Sequence, residues 1–97
     1  MTLKELENIG ISLPDVAEIV YNFFKEEGFG RNNIDIFYWS GRKYINVEIH
    51  ADKIHRLHLD IEMISIGGLD HVRDAIESIW ENCLAEGEHY GIRRGCC

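Results

Sequence analysis

Residues 34–63, IDIFYWSGRKYINVEIHADKIHRLHLDIEM, decide the fold. Ile34, Ile36 and Tyr38 alternate with Asp35, Phe37 and Trp39, and a turn follows at Ser40-Gly41-Arg42. Ile45, Val47, Ile49 and Ala51 then alternate with Tyr44, Asn46, Glu48 and His50. Beyond a break at Asp52-Lys53, Leu57, Leu59, Ile61 and Met63 alternate with Arg56, His58, Asp60 and Glu62. A period of two belongs to strands, whose successive side chains point to opposite faces. Three such runs joined by short turns predict an antiparallel meander with one apolar face.

Upstream the period lengthens. Thr2-Leu3-Lys4-Glu5 has the form of a capping box and predicts a short helix to about Asn8, stopped at Gly10. Ser12-Leu13-Pro14-Asp15 opens a second helix, with Ser12 as N-cap and Pro14 accommodated in the first turn. Leu13, Val16, Ala17, Val20, Phe23 and Phe24 recur at three- and four-residue steps along it, and it ends near Gly28. Downstream, Gly67-Gly68 closes the sheet. The last helix is expected over residues 69–86, with Leu69, Val72, Ile76, Ile79, Trp80 and Cys83 facing the core and Gly87 capping it. The expectation is an α+β domain over residues 1–87 in the order α-α-β-β-β-α. A short N-terminal helix and two longer helices pack on one face of the sheet, and residues 88–97 form a flexible tail.

Ninety-seven residues make one domain, with 45% hydrophobic and 10% aromatic side chains, as in a globular chain. No apolar stretch is long enough to span a bilayer, and the acidic start does not read as a signal peptide. Of the three cysteines, Cys83 sits at a core-like helical position and Cys96-Cys97 are adjacent at the end, which argues against a secreted disulfide scaffold. A cytoplasmic protein is expected.

The net charge of −7 is unevenly spread. Residues 1–30 carry two positive and six negative side chains, residues 31–66 five of each, and residues 67–97 three positive and six negative. Such a field repels nucleic-acid phosphate and attracts basic protein surfaces. Direct nucleic-acid binding is therefore not expected.

Helices on one side of the sheet leave the other side open. That face offers Asp35, Phe37, Trp39, Tyr44, Glu48, His50, His58, Asp60 and Glu62. An odd-length loop at Asp52-Lys53-Ile54 would place Glu48 opposite His58, His50 opposite Arg56 and Tyr44 opposite Glu62, with Phe37, Trp39 and Tyr44 close together. The face is either an ordinary solvated surface or a recognition patch, an aromatic centre rimmed by carboxylates and histidines. The last helix offers a second surface. Asp70, Asp74, Glu77 and Glu81 follow at steps of four, three and four, one acidic stripe with a spacing of about 5–6 Å. Arg73 is placed to relieve part of their repulsion.

Metal and catalytic chemistry find little support. His50, His55 and His58 raise a zinc site that Glu48 and Asp60 could complete, but alternation turns His55 to the other face and no metal-binding spacing is present. His58 polarised by Glu48, with His50 beside it, is the one acid–base candidate. No nucleophile elbow or phosphate-binding glycine loop accompanies it. No cofactor, metal or catalytic residue is expected.

In architecture and charge, the chain resembles small acidic phage anti-CRISPR proteins, some of which pack helices on a three-stranded antiparallel sheet and mimic nucleic acid. Bacterial immunity proteins against nuclease toxins are similar in size and charge. The resemblance aligns no motif residue by residue and transfers no sites. It implies an inhibitor that blocks a basic, nucleic-acid-handling protein, in a bacterial cytoplasm if phage-encoded. The alternatives are a homodimeric adaptor or chaperone-like module joined through the sheet face, and a small enzyme built on the histidine–carboxylate cluster.

Overall fold

The structure, a computed structural model, describes residues 1–90, with side chains through Leu84. Its elements run α1 (Leu3–Asn8), α2 (Leu13–Glu26), a 3₁₀ turn (Arg31–Asn33), β1 (Ile34–Phe37), β2 (Tyr44–His50), β3 (Ile54–Asp60), α3 (Ile61–Gly67) and α4 (Leu69–Tyr90). The sheet is antiparallel in the order β1-β2-β3. This is the expected α+β class with one helix more.

Both helix starts follow from their caps. At α1, Glu5 accepts a hydrogen bond from the Thr2 backbone N–H at 3.2 Å. At α2, Ser12 Oγ accepts from the Asp15 N–H while the Asp15 carboxylate accepts from the Ser12 N–H, both at 3.4 Å. Each reciprocal pair satisfies backbone donors that the first turn leaves unpaired. Gly10 and Gly28 stop the two helices with φ of +90° and +97°, a region costly for any side chain with a Cβ.

The core lies between the sheet and the helices. Ile45, Val47, Ile49, Leu57 and Leu59 come from the sheet, Val16, Val20, Phe23 and Phe24 from α2, and Val72, Ile76, Trp80 and Cys83 from α4. Phe24 of α2 meets Trp80 of α4 edge to face at 5.2 Å, and Phe29, from the connection after α2, meets the same ring at 5.7 Å. Such pairs add about 0.5–1.5 kcal/mol beyond their buried area. Tyr38 fastens the long β1–β2 connection: its hydroxyl donates to the Arg42 carbonyl at 2.7 Å and accepts from the Leu3 N–H at 3.2 Å.

Three sequence-based expectations need correction. The third strand ends at Asp60, not Met63. Asp60 caps α3 by accepting from the Glu62 N–H at 2.9 Å, and Ile61 and Ile64, three apart, are the residues α3 buries. Leu59 and Ile61 satisfy either periodicity, so the capping aspartate decides. Second, the β2–β3 hairpin turns over Ala51–Lys53, closed by an Ala51 N–H to Lys53 carbonyl bond of 3.1 Å. The predicted register therefore slips by two residues: Tyr44 faces Asp60, Asn46 faces His58, Glu48 faces Arg56 and His50 faces Ile54. A slip of two preserves the faces, so the inward and outward sets stand. Third, α4 runs through Gly87 to Tyr90; a glycine in a helix costs about 1 kcal/mol without forbidding it. Residues 91–97, including Arg93-Arg94 and Cys96-Cys97, lie outside the described residues, as does the expectation of flexibility there.

Candidate partner-binding surface

The open face of the sheet carries its own ion pairs, while Asn46 Nδ2 and His50 Nε2 are shut off from solvent there without a hydrogen-bond partner among the described residues. Glu48 bridges two bases: its Oε2 takes the Arg56 Nε at 3.1 Å and its Oε1 lies 3.6 Å from His50 Nε2. Asp35, directly opposite Glu48 on β1, sets its Oδ2 3.1 Å from the same nitrogen. The aromatic rings divide into two pairs. Phe37 meets Trp39 edge to face at 6.0 Å, and Tyr44 stacks on His58 at 4.1 Å. Desolvation lowers the His58 pKa and favours its neutral form. Glu48 and His58, expected to pair, do not, because the register places Arg56 opposite Glu48. Glu62 leaves the sheet face for the first turn of α3, and Asp60 serves as its cap.

His55 turns to the core face, as alternation requires, and is 9% exposed. Its Nδ1 lies 3.6 Å from the Cys83 sulfur and its ring meets Trp80 edge to face at 5.2 Å. Burial first, and then the charge of Lys53, push its pKa down.

The acidic stripe on α4 is different. Asp70, Asp74, Glu77 and Glu81 are all exposed. None has an ion-pair partner among the described residues. Arg73 crosses to α2 and binds Glu26 through both guanidinium nitrogens at 2.6 and 3.3 Å, so it touches the stripe only through its field. That bond holds the Glu26 carboxyl below the usual carboxylate range. Arg31 is likewise engaged, by Glu18 at 2.8 Å.

Beside the stripe runs a groove of about 320 Å³, lined by His58 and Asp60 of β3, Met63 of α3, and His71, Asp74 and Ile79 of α4. His58 and Asp60 point to the open face, whereas α4 covers the other, so the groove passes around the outer edge of β3. That edge carries free backbone groups. The Ile61 N–H bonds the Lys43 carbonyl and the Ala51 N–H bonds the Lys53 carbonyl, which makes the odd-numbered β2 positions the hydrogen-bonded pairs. Alternation then aims the N–H and C=O of Arg56 and His58 outward, where no described strand pairs with them. Apolar Ala75 and Ile79 form part of the groove wall.

Sequence reasoning found the stripe but missed the groove. The signal was present: His71, Ala75 and Ile79 recur at steps of four beside the core stripe. It becomes meaningful only once β3 is known to lie at the edge and α4 beneath it. No helix among the described residues is long and apolar enough to cross a membrane. No protein-family model matches the chain, and no curated protein or solved structure is significantly similar to it.

Proposed function

We propose that this chain is a small acidic inhibitor that occupies a basic surface on a partner protein, of the kind used to handle nucleic acid, through α4 and the groove beside β3. The observation that carries this reading is the set of four exposed carboxylates without ion-pair partners among the described residues, while Arg73, the described arginine of the same helix, is committed to Glu26. Like charges at these steps weaken a helix by about 0.2–0.5 kcal/mol per pair. A cationic partner would convert that repulsion into attraction. The β3 edge suits an extended segment of the partner. Its backbone would pair with Arg56 and His58, its apolar side chains would settle on Ala75 and Ile79, and its lysines or arginines would face Asp60 and Asp74.

The test is affinity capture from a bacterial lysate at low salt, with wild type beside Asp74→Lys/Glu77→Lys/Glu81→Lys. The expected result is a basic protein held by the wild type, released by moderate salt and lost by the variant. Equal retention by the variant, or retention of nothing basic, would overturn the reading.

A second reading, a homodimer joined through the sheet face, draws on Trp39, which is 61% exposed and leans on Phe37. Light scattering decides it: a salt-resistant dimer that dissociates on Trp39→Ala would move the interface to the sheet.

A further inference from the structure

Asp35, Glu48 and His50 project one donor atom each into the same space on the open face of the sheet, and all three atoms lie within 4.8 Å of one another. We propose that this trio is a binding site for a divalent transition-metal ion of the zinc class.

The placement follows from the sheet itself. Asp35 and Glu48 are direct cross-strand partners, and His50 lies two residues along β2, on the same face as Glu48. Three ligands on two paired strands are held by backbone hydrogen bonds, which is firmer support than a loop gives.

The distances match coordination. Four ligands about 2.1 Å from zinc stand about 3.4 Å apart at the corners of a tetrahedron. His50 Nε2 is 3.1 Å from Asp35 Oδ2 and 3.6 Å from Glu48 Oε1, on either side of that value. The remaining edge, between the two carboxylates, lies within 4.8 Å, and Asp35 is exposed enough to adjust toward an ion.

The nitrogen is also unsatisfied. His50 Nε2 is shut off from solvent, yet neither flanking carboxylate is in line to accept a hydrogen bond from it. A cation between the three donors would use that nitrogen's lone pair and both negative charges together. Arg56 completes the arrangement by binding Glu48 Oε2 at 3.1 Å, which leaves Oε1 directed at His50. Partners of this kind orient metal ligands. One imidazole and two carboxylates suit zinc better than magnesium, which takes oxygen ligands and keeps its waters. The fourth position faces outward and would hold water.

The test is calorimetric titration of the full chain with zinc chloride alone, with magnesium chloride as the comparison. It is run on a background of Cys96→Ser/Cys97→Ser, so that thiolates outside this site do not report. The expected result is one zinc per chain, no magnesium binding, and loss of the zinc heat in both His50→Gln and Asp35→Asn. The ¹⁵N resonance of His50 Nε2 should shift with zinc in the parent protein. Circular dichroism of the two variants checks that the fold is kept. Absence of a zinc heat in the parent, or binding that survives both substitutions, would overturn the proposal. A parent that binds zinc without moving the His50 resonance would overturn it equally.

Discussion

Arg73 of α4 spans to Glu26 of α2, with guanidinium nitrogens 2.6 and 3.3 Å from the two carboxylate oxygens. The bond explains two features together. It ties α2 to α4 at the surface above the Phe23 ring, which the guanidinium overlies at 5.4 Å. It also removes the one described cation that α4 could have turned upon its own carboxylates.

The Glu26 carboxyl should titrate below the ordinary carboxylate range because Arg73 hydrogen-bonds its charged form. Its contribution to stability is present above the unfolded-state pKa and disappears as pH falls through the lowered folded value. Carboxyl NMR of Arg73→Ala should return the Glu26 midpoint to the ordinary range. An unchanged midpoint would show that the bond does not persist in solution.

Stability should fall as pH drops below about 6.5, the unperturbed histidine value. His55 and His58 both have lowered pKa values in the fold, so the unfolded chain takes up protons first. The loss sets in at the unfolded value and is complete once pH has passed below the folded ones. Urea unfolding at pH 7.5 and pH 5.5 measures it. His55→Leu should flatten the dependence, and a wild-type profile already flat across this interval would sink the idea.

Asp60→Ala should destabilise the protein by about 1 kcal/mol through loss of the α3 cap. Were residues 61–63 a continuation of β3, this exposed position would be nearly neutral. Chemical denaturation distinguishes the two outcomes.

Gly67→Ala should cost about 1–3 kcal/mol, because an added Cβ would collide with Cβ and Cγ of His71. His71 has little room to retreat, since the clash involves the root of its side chain. Gly30→Ala is the matched comparison, with its nearest neighbour at 4.0 Å. Thermal unfolding of the two variants should separate them clearly.

Glu81→Lys should stabilise α4 while weakening partner capture. It removes one repulsion and sets an ammonium group one turn after Glu77, in the favourable order of acid before base. Each change is worth about 0.2–0.5 kcal/mol. Opposite signs for stability and binding mark a functional surface. A variant that gains stability and keeps its partner would make the stripe ordinary solvated helix.

The strands and the two longer helices were legible because their signals are local. The cap at Ser12, like that of the short first helix at Thr2, and the period of two in Ile45–Ile49 each act within a few residues. The third strand failed where local signals tie: Leu59-Asp60-Ile61 fits an alternating strand, and also a strand that gives way to a capped helix. The hairpin register needed the loop geometry at Ala51–Lys53, which parity alone does not fix. The Asp35–Glu48–His50 cluster was hidden for another reason. All three residues were placed on the correct face, but the β1–β2 register that sets Asp35 against Glu48 depends on a six-residue connection, residues 38–43, with no turn signature strong enough to count along.

The pairing of charges on the sheet has a kinetic consequence. Residues 31–66, which include the whole sheet, hold equal numbers of positive and negative side chains, whereas the flanking segments that supply α1, α2 and α4 hold the surplus of acid. The described part of the molecule is therefore electrically lopsided, with a neutral sheet backed by a negative helical layer. Such a dipole exerts a torque on a basic body at a distance, before any side chains meet. A basic partner arriving by diffusion would be turned toward the helical layer that includes α4, so fewer encounters would be lost to the sheet face.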